Sequence, residues 1–291
     1  MLAGQRSPIY RAEKVYNLSI QRLVEGMRRD DPPAIPQLAV PISVANAVYQ
    51  AGRMNVLPQV QTVGSLTLIA FYFLLRVGEY TQPRFVFRNG AKVHATRTRQ
   101  FIVDNVGFFL NNKILPKSSP LDVLLTATSA TLKITNQKNG RMGETIHQKA
   151  IDDENCPVKA LAYQVHHILS NGGTSDTLLC SYFANDQWNT IHSSEIIHAV
   201  RTATKLLNLQ DQGIDPDLVG AHSLRAGGAM ALKLHGFDDT TIMKMGRWTS
   251  LTFLQYIHTQ IAHLATDISK KMSMPLPFLN IAAIETAQTP P

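Results

Sequence analysis

The chain has 291 residues, 44% of them hydrophobic and 17% charged. That composition supports a packed core, and the charged fraction is low for a disordered chain. Lys and Arg outnumber Asp and Glu by 28 to 21, and the net charge of +7 suits an anionic partner. Two cysteines 24 residues apart, Cys156 and Cys180, exclude a disulfide framework and a thiolate zinc site. The ten histidines lack ligand spacing, so no metal and no cofactor are expected. The longest apolar run, Leu66 to Leu75, is too short to span a bilayer, and no secretory signal opens the chain. These features predict a soluble intracellular protein, nuclear in a eukaryote and cytoplasmic in a prokaryote, with no membrane partner.

In chain order, Ser7-Pro8 starts a helix whose face carries Tyr16, Ile20, Leu23, Val24 and Met27. Residues 30 to 41 hold four prolines after Asp30-Asp31 and read as a linker. A short helix over 43 to 51 stops at Gly52. A strongly apolar helix follows from about Gln59 to Leu75, the predicted central buried helix. At its end stands Leu75-Arg76-Val77-Gly78-Glu79. Arg76 is either a snorkelling surface residue or a charge held at the edge of the core for a purpose. Glu79 would brace that arginine or the interior.

Residues 84 to 117 then carry seven cations (Arg84, Arg88, Lys92, Arg97, Arg99, Lys113, Lys117) against the single acid Asp104. The run is either a solvated face or a phosphate-tracking surface. Strands are predicted over 100 to 104, 106 to 110, 130 to 136 and 144 to 148. Between the last two, Lys138-Asn139-Gly140-Arg141-Met142-Gly143 reads as a hairpin turn. Pro157 opens another helix with Val158, Leu161, Val165, Ile168 and Leu169 on one face, ended by Asn171-Gly172-Gly173. Leu178 to Phe183 is a short strand. Ser193 or Ser194 starts a helix with Ile196, Ile197, Val200 and Leu207 inward. A helix containing His222 and Arg225 is closed by Gly236. Asp238 or Asp239 caps the next one, which runs to Gly246. Residues 250 to 259 and about 261 to 272 complete the helices. There is no internal repeat.

The chemistry concentrates in Gly220-Ala221-His222-Ser223-Leu224-Arg225-Ala226-Gly227-Gly228, in Gly246-Arg247-Trp248 and in Gln255-Tyr256-Ile257-His258. Residues i and i+3 share a helix face, so His222 and Arg225 can address one target. The start of a helix offers free N–H groups and the positive end of its dipole, which favours a phosphate. Arg225 would add a planar two-pronged donor. A tyrosine 31 residues further on, at position 256, would be placed to attack phosphorus.

Together these residues resemble the catalytic domain of the tyrosine recombinases, the phage integrase family, over roughly residues 40 to 270. Gly246-Arg247-Trp248 resembles the variant seen in eukaryotic mobile-element recombinases. The resemblance implies an α+β fold, mainly α-helical with a small antiparallel β-sheet. It also implies a division into an N-terminal helix and linker over 1 to 39, the remnant of a core-binding domain, a catalytic domain over 40 to 272, and a tail over 273 to 291. The implied activity is site-specific cleavage and rejoining of double-stranded DNA through a 3′-phosphotyrosine, without metal. Arg76 and Arg225 would clamp the scissile phosphate. His222 would donate to a phosphate oxygen and relay the proton of the nucleophile. Lys138, or Lys133 on the strand itself, would protonate the leaving 5′-oxygen. Tyr256 would be the nucleophile. Arg84, Arg97, Arg99, Arg141 and Arg247 are the implied DNA contacts.

Family members place histidine or tryptophan directly after a glycine ahead of the tyrosine. Here that slot holds Arg247 and Trp248 follows: either Arg247 donates to the phosphate or a small shift brings the Trp248 N–H there, and Trp248 is the expected donor. Family members also carry a full helical domain ahead of the catalytic one, where this chain has about 40 residues. The resemblance further implies self-association as a tetramer on DNA, with Leu276, Phe278, Leu279 and Ile281 docking on a neighbour. Two competing readings are a DNA-binding derivative that no longer cuts and a type IB topoisomerase-like enzyme. A helical interaction protein would leave the ordered set Arg76, Lys138, His222, Arg225 and Tyr256 to accident.

Overall fold

The computed structural model describes residues 37–83, 85–88, 91–94, 98–135, 143–220, 222–251 and 254, with the backbone alone for 86–88 and 91–94. The expected first helix, the strand-turn residues around 138 and the helices after 250 lie outside the described residues.

The described chain is mainly helical, with a small antiparallel sheet. Its centre is α2 (Pro58–Tyr72). Every residue from Thr62 to Phe71 on this helix is buried, which is the signature of a helix apolar on all sides. Pro58 opens it at a position where the missing N–H loses nothing. The preceding helix, α1 (Ile42–Arg53), crosses α2 with their backbones in contact. A Cβ on Gly64 would lie 3.0 Å from the Val48 carbonyl oxygen and 3.2 Å from the Gly52 Cα, so glycine is needed there.

Two-stranded β1 (Phe85–Arg88) and β2 (Ala91–His94) come next, a hairpin that the sequence reading missed. The main sheet has the order β4-β3-β5-β6, all antiparallel, from β3 (Val106–Leu110), β4 (Lys113–Leu115), β5 (Ser129–Lys133) and β6 (Thr145–Lys149). Leu132 stands between Val106 and Ile146 in register, and all three face the core. The expected strand over 100 to 104 is not one. Ile102 makes a lone bridge to Leu178, and the Asn105 side chain accepts from the Ile102 N–H at 2.9 Å, which turns the chain instead.

The remaining elements are the short α3 (Leu121–Leu124), α4 (Pro157–Ser170), the hairpin β7 (Ser181–Ala184) and β8 (Gln187–Thr190), α5 (Ser193–Leu206), α6 (Ser223–Leu234) and α7 (Asp239–Gly246). Asn185 and Asp186 both take positive φ in the β7–β8 turn, the geometry a two-residue hairpin needs. Asp238 caps α7 by accepting from the Thr241 N–H at 2.9 Å. None of the described helices is long and apolar enough to cross a membrane.

One packing detail positions the candidate site. A Cβ on Gly227 would come within 2.0 Å of the Val40 carbonyl oxygen, and one on Gly228 within 2.5 Å of the Phe71 carbonyl oxygen. The paired glycines therefore let the first turns of α6 press against the end of α2 and the segment before α1.

Candidate active site

The site starts where α2 stops. Leu74 adopts a left-handed φ of 49°, which takes the chain off the helix axis. Arg76 then heads a single 3-10 turn, Val77–Glu79. The Leu74 carbonyl accepts from two guanidinium groups, Nη2 of Arg247 at 2.9 Å and Nη1 of Arg225. Arg225 Nη2 donates to the Gly246 carbonyl. Cations at the C-terminal end of a helix meet the negative end of its dipole, and here two of them finish α2.

Glu79 is the counter-charge, and it is 1% exposed. Arg247 grips it as a fork, Nη1 to Oε1 at 2.9 Å and Nη2 to Oε2 at 3.0 Å. The Arg76 N–H donates to Oε2 at 2.8 Å and Arg76 Nη1 to Oε1 at 3.2 Å. Burial alone would push the carboxyl pKa up. The Arg247 guanidinium, and then Arg76, outweigh burial and hold it below the usual carboxylate range. Arg76 also reaches the Arg247 carbonyl with Nη2 at 3.4 Å. Three guanidinium groups thus converge on one carboxylate and three main-chain carbonyls, leaving a surplus of positive charge.

Trp248 and Gly246 complete the packing. The Arg225 guanidinium carbon lies 4.1 Å from the centre of the Trp248 ring, a cation–π stack. A Cβ on Gly246 would fall 1.6 Å from a Trp248 ring carbon, so the stack requires glycine two residues earlier. Arg247 between them takes a left-handed φ of 59° at the end of α7. That conformation costs an ordinary residue about 1–2 kcal/mol. An arginine tolerated in a slot suited to glycine points to a need for its side chain.

His222 caps the start of α6 and is exposed. Its N–H donates to Gln37 Oε1 at 2.8 Å, and its carbonyl accepts from the Ala226 N–H at 2.9 Å. The buried Ser223 hydroxyl accepts from the Gly220 N–H at 2.9 Å, which tightens the entry turn.

The structure therefore brings together Arg76, Arg225, Arg247 and Trp248, with His222 one helical turn before Arg225. Arg247, which the sequence reading assigns to DNA, points inward and is 4% exposed. Arg225 is 3% exposed. Arg99 is exposed, and Lys133 is exposed at the end of β5 opposite Thr145. Lys138, Tyr256, Arg84, Arg97 and Arg141 lie outside the described residues. Two contributors escaped the sequence reading. Gln37 holds the His222 backbone from what reads as linker. The Leu74 carbonyl organises two arginines, and a main-chain acceptor leaves no mark in a sequence. Among the described residues, no group of His, Cys, Asp and Glu could hold a metal ion.

No protein-family model matches this sequence, and no curated protein matches it. Among solved structures, the chain is similar to the XerH site-specific recombinase bound to palindromic difH substrate in a post-cleavage complex. The identity is 15% and the TM-score 0.46, covering 80% of this chain and 54% of that one. It is similar to XerA recombinase at 16% identity and TM-score 0.46, covering 84% and 68%. It is also similar to XerH bound to difH in a pre-cleavage complex, at 13% identity and TM-score 0.43, covering 82% and 53%. The chain spans about half the length of the XerH chains it matches.

Proposed function

We propose that this chain cuts and rejoins double-stranded DNA by tyrosine-mediated phosphoryl transfer, as a site-specific recombinase does. The observation that carries the reading is the convergence of Arg76, Arg225 and Arg247 at the end of α2, around Leu74 and Glu79. Buried cations in excess of their counter-charge form a preorganised site for an anion whose charge grows in the transition state.

In this reading Arg76 and Arg225 take the two non-bridging oxygens of the scissile phosphate. His222 donates to one of them from the start of α6. The Tyr256 phenol, with an ordinary pKa of about 10, passes its proton to the His222 imidazole beside these cations and attacks phosphorus. A bond forms between the phenolic oxygen and phosphorus, and the bond to the 5′-oxygen breaks. Lys138 gives that oxygen its proton. The 3′-phosphotyrosine keeps the phosphodiester energy, so a second strand's 5′-hydroxyl can reverse the step. With the guanidinium groups neutralising the phosphate, the cycle needs no metal. A tetramer on two duplexes is the assembly in which strands would be exchanged.

The test is a pool of nicked suicide duplexes of randomised sequence, incubated with the chain and resolved under denaturing conditions. The native chain is expected to form a covalent protein–DNA adduct and Tyr256→Phe none. An adduct that persists in Tyr256→Phe would remove the nucleophile. Salt-sensitive binding without any adduct would make the chain a DNA-binding derivative. Relaxation of supercoiled DNA without exchange would make it topoisomerase-like.

A further inference from the structure

The site contains one arginine more than a phosphate clamp needs, and its surroundings say what it does. We infer that Arg247 is a positioning residue: it holds Arg76 and Arg225 in one frame and does not itself touch the phosphate. The inference rests on the reading of Arg76 and Arg225 as the phosphate clamp.

Four contacts fix Arg247. Both terminal nitrogens are engaged in the fork on Glu79, and Nη2 also donates to the Leu74 carbonyl. Its own carbonyl accepts from Arg76 Nη2. The Leu74 carbonyl is shared with Arg225 Nη1, and the carbonyl of the preceding Gly246 holds Arg225 Nη2. The next residue, Trp248, stacks on the Arg225 guanidinium. Residues 246 to 248 are therefore the bracket in which both clamp arginines sit, and the Arg247 side chain ties that bracket to the α2 end. The Arg247 and Glu79 side chains are each 2% exposed, so the fork is closed to an incoming backbone phosphate. Nε of Arg247 is buried with no hydrogen-bond partner. Arg225 is as deeply buried, but its terminal nitrogens donate to two neutral carbonyls, whereas those of Arg247 grip a carboxylate, whose charge repels a phosphate.

This arrangement accounts for the departure at the glycine-following slot. An imidazole or indole there acts as a donor, whereas the longer arginine folds back under the surface to the Glu79 carboxylate. The left-handed backbone at position 247 directs it there.

Two measurements on the full chain test this. The first needs no DNA. In a Trp188→Phe background, Trp248 is the sole tryptophan, because the chain has two. Arg247→Met is expected to shift Trp248 emission to the red and to broaden the side-chain guanidinium NMR signals of Arg76 and Arg225. Arg247→Lys, which keeps the charge beside Glu79, should preserve most of the native spectrum. Because Arg247→Met leaves Glu79 with a single partner and can unfold the chain, the pair Glu79→Gln/Arg247→Met is the second variant. It should fold and still show the altered Trp248 emission. The second measurement is the salt dependence of binding to a mixed-sequence duplex. Each lost phosphate contact lowers the slope of log K against log salt by about 0.9. Arg225→Met should lower it by that amount, and Arg247→Lys, which keeps the frame, should leave it unchanged. Unmoved Trp248 and guanidinium signals in both the Met and the double variants overturn the inference, as does a slope lowered by Arg247→Lys. A native chain that binds no duplex overturns the proposed function instead, and the spectroscopic arm still decides the role of Arg247.

Discussion

Among the described residues, two polar clusters are built on opposite plans. One ties α4 to the β7–β8 hairpin with neutral groups. Gln164 Nε2 donates to the Leu179 and Ser181 carbonyls at 2.8 and 2.9 Å, and His167 Nε2 accepts from the Phe183 N–H at 3.0 Å. The other ties α2 to α6 and α7 with three guanidinium groups and one carboxylate. A neutral staple satisfies main-chain groups at little electrostatic cost. A charged one must overcome desolvation of several kcal/mol per ion, and a glutamine would have bridged the same carbonyls. The second cluster uses charges where neutral groups would serve, and that difference is the physical argument for function at the end of α2.

The comparison can be broken at either cluster, and the charged one should break hardest. Arg247→Met leaves Glu79 buried with only the partly exposed Arg76 beside it. Removing one partner of a buried pair typically costs about 3–5 kcal/mol. Urea unfolding should show that loss as a lower midpoint at unchanged m-value. A loss under 1 kcal/mol would mean that the fork contributes nothing net. At the neutral cluster, Gln164→Leu keeps the volume and strips two carbonyls of a donor. The expected loss is about 1–3 kcal/mol by the same measurement, clearly below that of Arg247→Met.

Acid separates the clusters as well. Burial, and then the neighbouring His166, lowers the pKa of His167 from its ordinary 6.5. The folded state prefers the neutral ring that accepts from Phe183. Its contribution is complete above pH 6.5 and is lost as pH falls through the lowered folded value, because the unfolded chain takes up the proton first. Glu79 behaves alike in a more acidic window. Its folded pKa lies below the ordinary 4.5, so its ion pairs are intact above that pH and fail as pH falls further. Thermal scans should therefore show a shallow decline beginning below pH 6.5, absent in His167→Gln, and a steeper one below 4.5, absent in Glu79→Gln.

Much of the helical frame was legible in the sequence. The run from Leu66 to Leu75 declared a buried helix, Pro157 and the pair Asp238-Asp239 declared helix starts, and Gly236 marked the end of α6. The strands were harder. Asn89-Gly90 lies between Phe85–Arg88 and Ala91–His94 and carries the same turn signal as Asn139-Gly140, but the basic residues around it fit a charged surface equally well. β8 has no apolar face to read, since Trp188 is 41% exposed and its neighbours are polar. Ile102-Val103 has strand composition, and the Asn105 side chain three positions on bends the chain before a ladder can form. At the site, Glu79 bracing Arg76 was one of two readings open in the sequence, and the clamp roles of Arg76 and Arg225 come from the resemblance alone. The inward turn of Arg247 was not legible, because it depends on a left-handed backbone at a non-glycine residue and on a main-chain acceptor at Leu74.

The smallest effect belongs to the tyrosine nearest this cluster in the chain. Tyr80 is 1% exposed, follows Glu79 directly, and its hydroxyl has no hydrogen-bond partner. Burial, and after it the Glu79 carboxylate, pushes the phenol well above its ordinary pKa. A nucleophile needs the opposite, cations that favour the phenolate. Burial thus makes Tyr80 unsuited to the part that the proposed function gives Tyr256, although it sits closer in sequence to Arg76. Its hydroxyl is a desolvated donor with nothing to donate to, and removing such a group is neutral or stabilising by up to about 1 kcal/mol. Tyr80→Phe should unfold at the same urea concentration as the native chain or slightly above it, and should form the DNA adduct at the native rate. A variant that folds normally but forms no adduct would transfer the nucleophile's role to Tyr80, and with it the geometry of the whole site.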